Sequence, residues 1–241
     1  MTRVSTPRLT TIGFDADDTL WQNESFFRLT EERFAELLAD AAPQDHLMQR
    51  LLAAERRNLG NYGFGIKGFM LSMIETAVEV TDGRVTGDVI AEILASGREM
   101  LRHPVDLLPG ARETVMALAP DYRVLLITKG DLLDQERKLA ASGLGDLFHG
   151  VEIVSDKTAA TYTRIFARHG TGAQEGLMVG NSLKSDVAPM LAAGGFGIFV
   201  PHGLTWALEA AELPQANSRF AEIPGLSELP ALLPKLLSGT Q

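Results

Sequence analysis

Asp15-Ala16-Asp17-Asp18-Thr19-Leu20 sets three carboxylates within four residues, directly after the apolar stretch Thr10-Thr11-Ile12-Gly13-Phe14. Like charges this close repel one another, and withdrawing each from water is expensive unless something pairs it. A divalent cation is the natural partner, because Mg²⁺ is held by a few carboxylates, a carbonyl and water. Side chains two apart on an extended segment point to the same side. Asp15 can therefore attack a bound group while Asp17 handles a proton. The same hexapeptide also suits a strand running into an acidic Asx turn, so the elements around it must decide.

Those elements alternate. Val124-Leu125-Leu126-Ile127, Gly176-Leu177-Met178-Val179 and Gly197-Ile198-Phe199-Val200 are short, apolar and unalternating, as strands buried on both faces of a parallel sheet are. Helical patterns lie between them, at roughly 110–119, 131–142, 158–169 and 184–193. A weaker strand and helix follow near Arg219–Ile223 and Leu226–Leu237. The fold expected is α/β, a three-layer parallel sheet core of Rossmann-like type. From about 21 to 105 the pattern changes to apolar residues at helical spacing, with Phe34, Leu51, Met73 and Ile93 among them and Thr86 as an N-cap. This predicts an inserted all-helical domain over 21–105, with the core formed by 1–20 and 106–241.

Three further features follow the strands or open helices: Thr128-Lys129-Gly130, Lys157 ahead of a helix, and Gly180-Asn181-Ser182-Leu183-Lys184-Ser185-Asp186. Ligands of open parallel sheets bind beyond the carboxyl ends of the strands. Asp15, Thr128, Asn181 and His202 are therefore expected along one edge.

In this order the motifs resemble those of the haloacid dehalogenase-like (HAD) hydrolase superfamily, in members whose helical C1-type cap is inserted after the first motif. Asp15 to Thr19 matches the first motif, Thr128 the second, Lys157 the third and Gly180 to Asp186 the fourth, so the likeness spans essentially the whole chain. The resemblance implies a phosphatase. Asp15 would be the nucleophile that forms an aspartyl-phosphate, and Asp17 the acid that protonates the leaving oxygen and then the base that activates water. Thr128 would hydrogen-bond a phosphoryl oxygen, and Lys157 would neutralise both that group and Asp15. Mg²⁺ would be held by Asp15, the backbone carbonyl of Asp17, Asn181 and Asp186. Dehalogenases of the superfamily lack an aspartate two residues after the nucleophile, and this chain has one. Two positions depart from the family pattern. Asn181 stands where an acid is usual, which removes a formal negative charge from the metal site, and Lys129 stands where asparagine is frequent.

Composition agrees with a soluble globular protein. The chain has 241 residues, enough for one large or two modest domains, and 45% hydrophobic with 22% charged residues is ordinary for a globular protein. A formal net charge of −9 argues against a nucleic-acid partner but not against a small phosphorylated metabolite, since a metal and a few local cations can reverse the field in a cleft. There is no cysteine, hence no thiolate chemistry. Met1–Leu9 lacks the apolar core of a signal peptide and no segment reaches the length of a membrane span, so the cytoplasm is the expected compartment.

Gly63-Phe64-Gly65-Ile66-Lys67-Gly68 fits the dinucleotide pattern G-x-G-x-x-G, but the pattern carries meaning only after a strand, and Ala53–Asn61 reads as helix. It is either a glycine-rich helix connector or a cap loop whose Lys67 meets the substrate. Lys129 and His202 are further candidates for substrate contact. The function expected is a Mg²⁺-dependent phosphatase of small phosphomonoesters. A phosphosugar mutase or phosphotransferase, a 2-haloacid dehalogenase and a non-catalytic ligand-binding member of the same fold are the alternatives. Neither the substrate nor the oligomeric state is written in these motifs.

Overall fold

The computed structural model describes residues 8–214 and 217–238, so the N-terminal stretch read above for a signal segment lies outside it apart from Arg8 and Leu9. Strand β1 (Thr11–Phe14) is followed by four helices, α1 (Glu24–Leu37), α2 (Gln44–Tyr62), α3 (Ile66–Val80) and α4 (Gly87–Met100). The alternating part then runs α5 (Ala111–Leu118), β2 (Arg123–Lys129), α6 (Leu132–Ser142), β3 (Gly150–Val154), α7 (Ala159–His169) and β4 (Gly176–Gly180). A π-helical turn at Leu183–Val187 leads into α8 (Ala188–Ala192), and β5 (Phe196–Phe199), β6 (Phe220–Glu222) and α9 (Leu229–Ser238) complete the chain.

The strands form one sheet in the order β3-β2-β1-β4-β5-β6. β1 pairs in parallel with both β2 and β4, with Phe14 opposite Leu126 on one side and Val179 on the other. β4 with β5 and β5 with β6 are parallel too. Both faces of the central strands are covered. Ile12, Phe14, Leu126 and Val179 belong to the apolar cluster of one face, Leu125, Ile127, Met178 and Phe166 to that of the other. Burial on two sides is why these strands read as unbroken apolar runs. The Rossmann-like α/β layer expected from the sequence is thus present.

β3 has no counterpart among the runs read above. It lies at the sheet edge, and only Val154 of its five residues is buried. A strand wetted in this way lacks the continuous apolar signal of its neighbours. The helix expected over 184–193 is also different: it begins as the π-helical turn, with α8 only five residues long. Such turns concentrate at functional sites, and this one carries Asp186.

By chain contacts the molecule divides into two compact units. One comprises the described residues up to Gln22, Val105–Thr128 and everything from Arg137 onward; the other is Asn23–Pro104 with Lys129–Glu136. The sequence reading assigned 129–136 to the core, whereas here that segment goes with the helices. Two contacts hold it there. Lys67 Nζ donates to both carboxylate oxygens of Asp131 at 2.9 Å, and Lys129 Nζ lies 3.8 Å from the centre of the Phe64 ring.

The helical unit has its own core of Phe34, Leu38, Leu47, Leu51, Phe69, Met73, Ala77 and Ile93. Thr86 caps α4 by accepting from Val89 N. Gly63 ends α2 with φ +71° and Gly65 opens α3 with φ +111°. Both lie in the region that favours glycine, so Gly63–Gly68 is a connector between helices and not a dinucleotide loop.

Gly180 is the last residue of β4, and its neighbour leaves no room for a side chain. A Cβ there would lie 2.1 Å from Asp186 Oδ2 and 2.7 Å from Asp186 Cβ. Gly180→Ala is expected to cost about 1–3 kcal/mol, the usual price of overpacking a filled interior. Urea denaturation would read this as a lowered midpoint, and an unchanged midpoint would mean that Asp186 has freedom the packing denies it.

Candidate active site

The site stands at the carboxyl ends of the central strands, and every residue in it comes from the sheet-containing unit. Asp15 follows β1 directly, and its backbone N–H donates to Val179 O at 2.9 Å, so the position is still tied to the sheet. The chain then turns tightly. Leu20 N donates to Ala16 O at 2.8 Å and Asp18 N to Trp21 O at 2.7 Å, with Asp18 at φ +57°. An aspartate tolerates that left-handed conformation better than most side chains. Thr128, near the end of β2 and two residues past Leu126, the partner of Phe14, is buried.

Lys157 is the centre of the site. Its side chain is 2% exposed, and its ammonium donates to Asp15 Oδ1 and, at 2.7 Å, to Asp186 Oδ1. Asp186 Oδ2 accepts from Ser182 N at 3.0 Å, a bond made within the π-helical turn region. Thr19 Oγ1 donates to Asp15 Oδ2 at 3.1 Å and accepts from Asn181 N at the same distance. Thr19 thus ties the loop after β1 to the loop after β4. It was part of the motif read from the sequence, but this tie is visible only in three dimensions.

Two carboxylates therefore share one ammonium in a dry place. Burial pushes the Asp15 carboxyl up to about 7, the nearby Asp186 carboxylate pushes the same way, and Lys157 opposes them. Burial disfavours the charge of Lys157 as well, but Asp15 and Asp186 outweigh it and hold the ammonium above the usual lysine range. Once both carboxylates are ionised one negative charge is left over, and a cation would offset it.

The donors for such a cation are in place. The terminal atom of the Asn181 amide on this side lies 3.1 Å from Asp15 Oδ2, 3.2 Å from the Asp17 carbonyl oxygen and 3.3 Å from Thr19 Oγ1. With nitrogen there, the amide donates to these oxygens. With oxygen there, it would face the Asp15 carboxylate oxygen and the Asp17 carbonyl oxygen, hard donors of the kind Mg²⁺ takes. Among the described residues no group of three or more His, Cys, Asp or Glu side chains is arranged as a metal shell. A carboxylate, a backbone carbonyl and, with the amide turned, an amide oxygen are instead the donors that would hold part of a Mg²⁺ shell, water and phosphate oxygens supplying the rest.

Asp17 is held separately. Its Oδ1 accepts from Trp21 Nε1 at 2.7 Å and from Lys138 Nζ at 3.0 Å. Neither donor was singled out from the sequence. Lys138 reads locally as one more polar residue of an amphipathic helix, and Trp21 as an apolar residue beside a loop. Ser182 and Ser185 both donate from Oγ to Glu209 Oε2, which fixes the loop after β5 onto the π-helical turn.

Of the residues singled out from the sequence, Asp15, Asp17, Lys157, Asn181 and Asp186 meet through the contacts above, with Thr128 on the adjoining strand. Asp186, expected beside the metal, has its two oxygens engaged by Lys157 and Ser182 N. His202 is on the same unit, with Nδ1 3.7 Å from Asp18 Oδ1 and 3.1 Å from Leu204 O. Lys67 and Lys129, expected at the substrate, belong to the other unit, where they meet Asp131 and Phe64. No helix among the described residues is long and apolar enough to cross a membrane.

Comparison with known proteins agrees with this assembly. The family model described as haloacid dehalogenase-like hydrolase matches residues 9–194. A solved haloacid dehalogenase-like family hydrolase from Xanthomonas campestris is 43% identical with a TM-score of 0.85, over 100% of this chain and 96% of that one. The HAD-hydrolase YfnB from Bacillus subtilis, solved bound to magnesium, shares the fold at 18% identity and a TM-score of 0.67, covering 94% and 99% of the two chains. A 2-haloacid dehalogenase from Pseudomonas syringae shares it at 22% identity and 0.58, covering 94% and 99%. No curated protein matches the sequence significantly. With a family match running from before β1 to beyond α8 and a solved relative 43% identical over the whole chain, the chain belongs to the haloacid dehalogenase-like hydrolases.

Proposed function

We propose that the protein is a Mg²⁺-dependent phosphatase acting on small phosphomonoesters through an aspartyl-phosphate. Proteins of this fold include enzymes described as phosphatases and as dehalogenases, so the fold alone leaves the reaction open. The observation that carries the reading is Asp17, a second carboxylate two residues after Asp15 and held on its own donors. An ester hydrolysed by water alone does not need it. A phosphomonoester with a poor leaving group does, because the departing oxygen must be protonated.

The steps are assigned to the chain's own residues. An Asp15 carboxylate oxygen attacks phosphorus as the bond to the ester oxygen breaks, and protonated Asp17 gives its proton to that oxygen, releasing the alcohol. Asp17, now ionised, takes a proton from water as the water oxygen attacks the same phosphorus. The bond to Asp15 breaks, which frees inorganic phosphate and restores the carboxylate. Lys157 offsets charge on the phosphoryl oxygens and on Asp15, and the Thr128 hydroxyl hydrogen-bonds one of those oxygens. Asp15, the Asp17 carbonyl and Asn181 would hold Mg²⁺, with Asp186 orienting Lys157 beside it. When bound, Mg²⁺ supplies further charge neutralisation and favours the ionised form of Asp15. With Asn181 in place of an acid, the site binds the metal more weakly than an all-carboxylate one.

Release of phosphate from p-nitrophenyl phosphate with Mg²⁺ tests the reading. Asp15→Asn should abolish turnover, and Asp17→Asn should lower it by about 10²–10⁴-fold, the usual worth of general acid–base catalysis. Halide release from 2-chloropropionate without need of Mg²⁺ would overturn the proposal.

The raised pKa of Asp15 gives a second test. Between its ordinary value of 3.8 and about 7, the folded protein holds a proton that the unfolded chain has released. The contribution of this group to metal-free stability therefore falls as pH rises through that window. Mg²⁺ needs the deprotonated ligand, so the rise in melting temperature on adding millimolar Mg²⁺ should be larger at about pH 8 than at about pH 5. Thermal denaturation at the two pH values checks this, and Asp15→Asn should remove the difference.

A further inference from the structure

We infer that Lys138 and Trp21 position the acid–base carboxylate of Asp17, fixing which of its two oxygens carries the proton that moves. The inference rests on the phosphatase reading above and goes beyond the residues of the four motifs.

A lysine is seldom buried without a partner, because desolvating its ammonium and freezing its long stem both oppose folding. The Lys138 side chain is only 10% exposed, on helix α6, and its ammonium donates to Asp17 Oδ1 at 3.0 Å. Trp21 Nε1 donates to the same oxygen at 2.7 Å. Its indole is 1% exposed and its backbone is fixed twice, by accepting from Asp18 N and by bridging to Leu107. Two donors on elements far apart in sequence thus converge on one oxygen of one carboxylate. Lys157, the other buried ammonium at the site, is committed to Asp15 and Asp186, so Asp15 and Asp17 are served by separate cations.

The consequence is chemical. A carboxylate oxygen offers two in-plane lone pairs, and on Asp17 Oδ1 both are taken by N–H donors. A proton on that oxygen would face two donor hydrogens. The proton of the acid form therefore sits on Oδ2, and Oδ2 is the atom that gives it to the leaving oxygen and later takes one from water. The rigid indole sets the plane of the carboxylate, and the ammonium adds a charge-assisted bond, stronger than a neutral one. A structural role alone, in which Lys138 merely ties α6 to the loop after β1, would make no distinction between leaving groups.

That distinction is the test. Phenyl phosphate and p-nitrophenyl phosphate have nearly the same shape, but phenolate is a much poorer leaving group than p-nitrophenolate and depends more on proton donation. kcat/KM for both esters is measured with Mg²⁺ for the wild type, Lys138→Met, Lys138→Arg and Trp21→Phe, with Asp17→Asn as reference. Trp21→Phe removes the N–H together with the fused five-membered ring of a side chain that is 1% exposed, so its melting temperature is measured beside its kinetics. Lys138→Met and Trp21→Phe should each lose about 10–30-fold on phenyl phosphate and about 3-fold on p-nitrophenyl phosphate, a fraction of the loss for removing the acid itself. Lys138→Arg should recover most of the loss on phenyl phosphate. Equal losses on the two esters, or no loss, in variants with wild-type circular dichroism would overturn the inference. A wild type that releases phosphate from neither ester would instead overturn the phosphatase reading on which the inference rests.

Discussion

The structure is organised around one buried ammonium shared by two carboxylates. Lys157 lies between Asp15 and Asp186 with almost no access to water. Each of the three would be expensive to bury alone, and removing one partner from such a group typically costs about 3–5 kcal/mol because a charge is left unpaired. They come from the end of β1, the start of the segment before α7 and the π-helical turn before α8. The strand order β3-β2-β1-β4 brings those segments to one edge of the sheet. The absence of a side chain at Gly180, the widened turn at Leu183–Val187 and the Thr19 hydroxyl all serve to hold this arrangement.

With both carboxylates ionised the arrangement is not neutral. The surplus negative charge would then work against the protein's own stability and would favour a cation, which is how binding sites commonly depart from the most stable packing. The amide of Asn181 faces the oxygens where that cation would stand, and an amide can present either end. As a donor it bridges the Asp15 carboxylate and the Asp17 carbonyl; as an acceptor it would join them in holding a metal. A carboxylate at position 181 could do only the second.

The parts of the fold that are legible in the sequence are those where burial is symmetrical. β1, β2, β4 and β5 are covered on both faces and stand out as apolar runs. The amphipathic helices of the inserted unit are equally plain. β3 is not, because at the sheet edge its Glu152 serves His169 and Arg168 on the neighbouring helix, and such a residue interrupts the run. The site follows the same logic. Asp15, Asp17 and Asp18 crowd together along the chain and announce themselves, and the order of Thr128, Lys157 and Asp186 makes the pattern specific. Lys138 and Trp21 are invisible, since their significance lies in an oxygen that only the folded loop presents to them. The assignment of 129–136 to the helical unit is likewise a matter of contacts, Lys67 with Asp131 and Lys129 with Phe64, that no local pattern encodes.

The place of β1 in the sheet bears on how the chain is made. Its neighbours are residues 123–126 on one side and 176–179 on the other, so during synthesis the first strand emerges long before either. The helical unit between them has its own apolar core and mostly local contacts, the kind that form quickly. A ribosome would therefore carry a folded helical segment while Ile12, Phe14 and the acidic loop beyond them still wait, unpaired, for partners not yet translated. That interval is when this protein is most open to misassociation, and it ends only when β4 has left the exit tunnel.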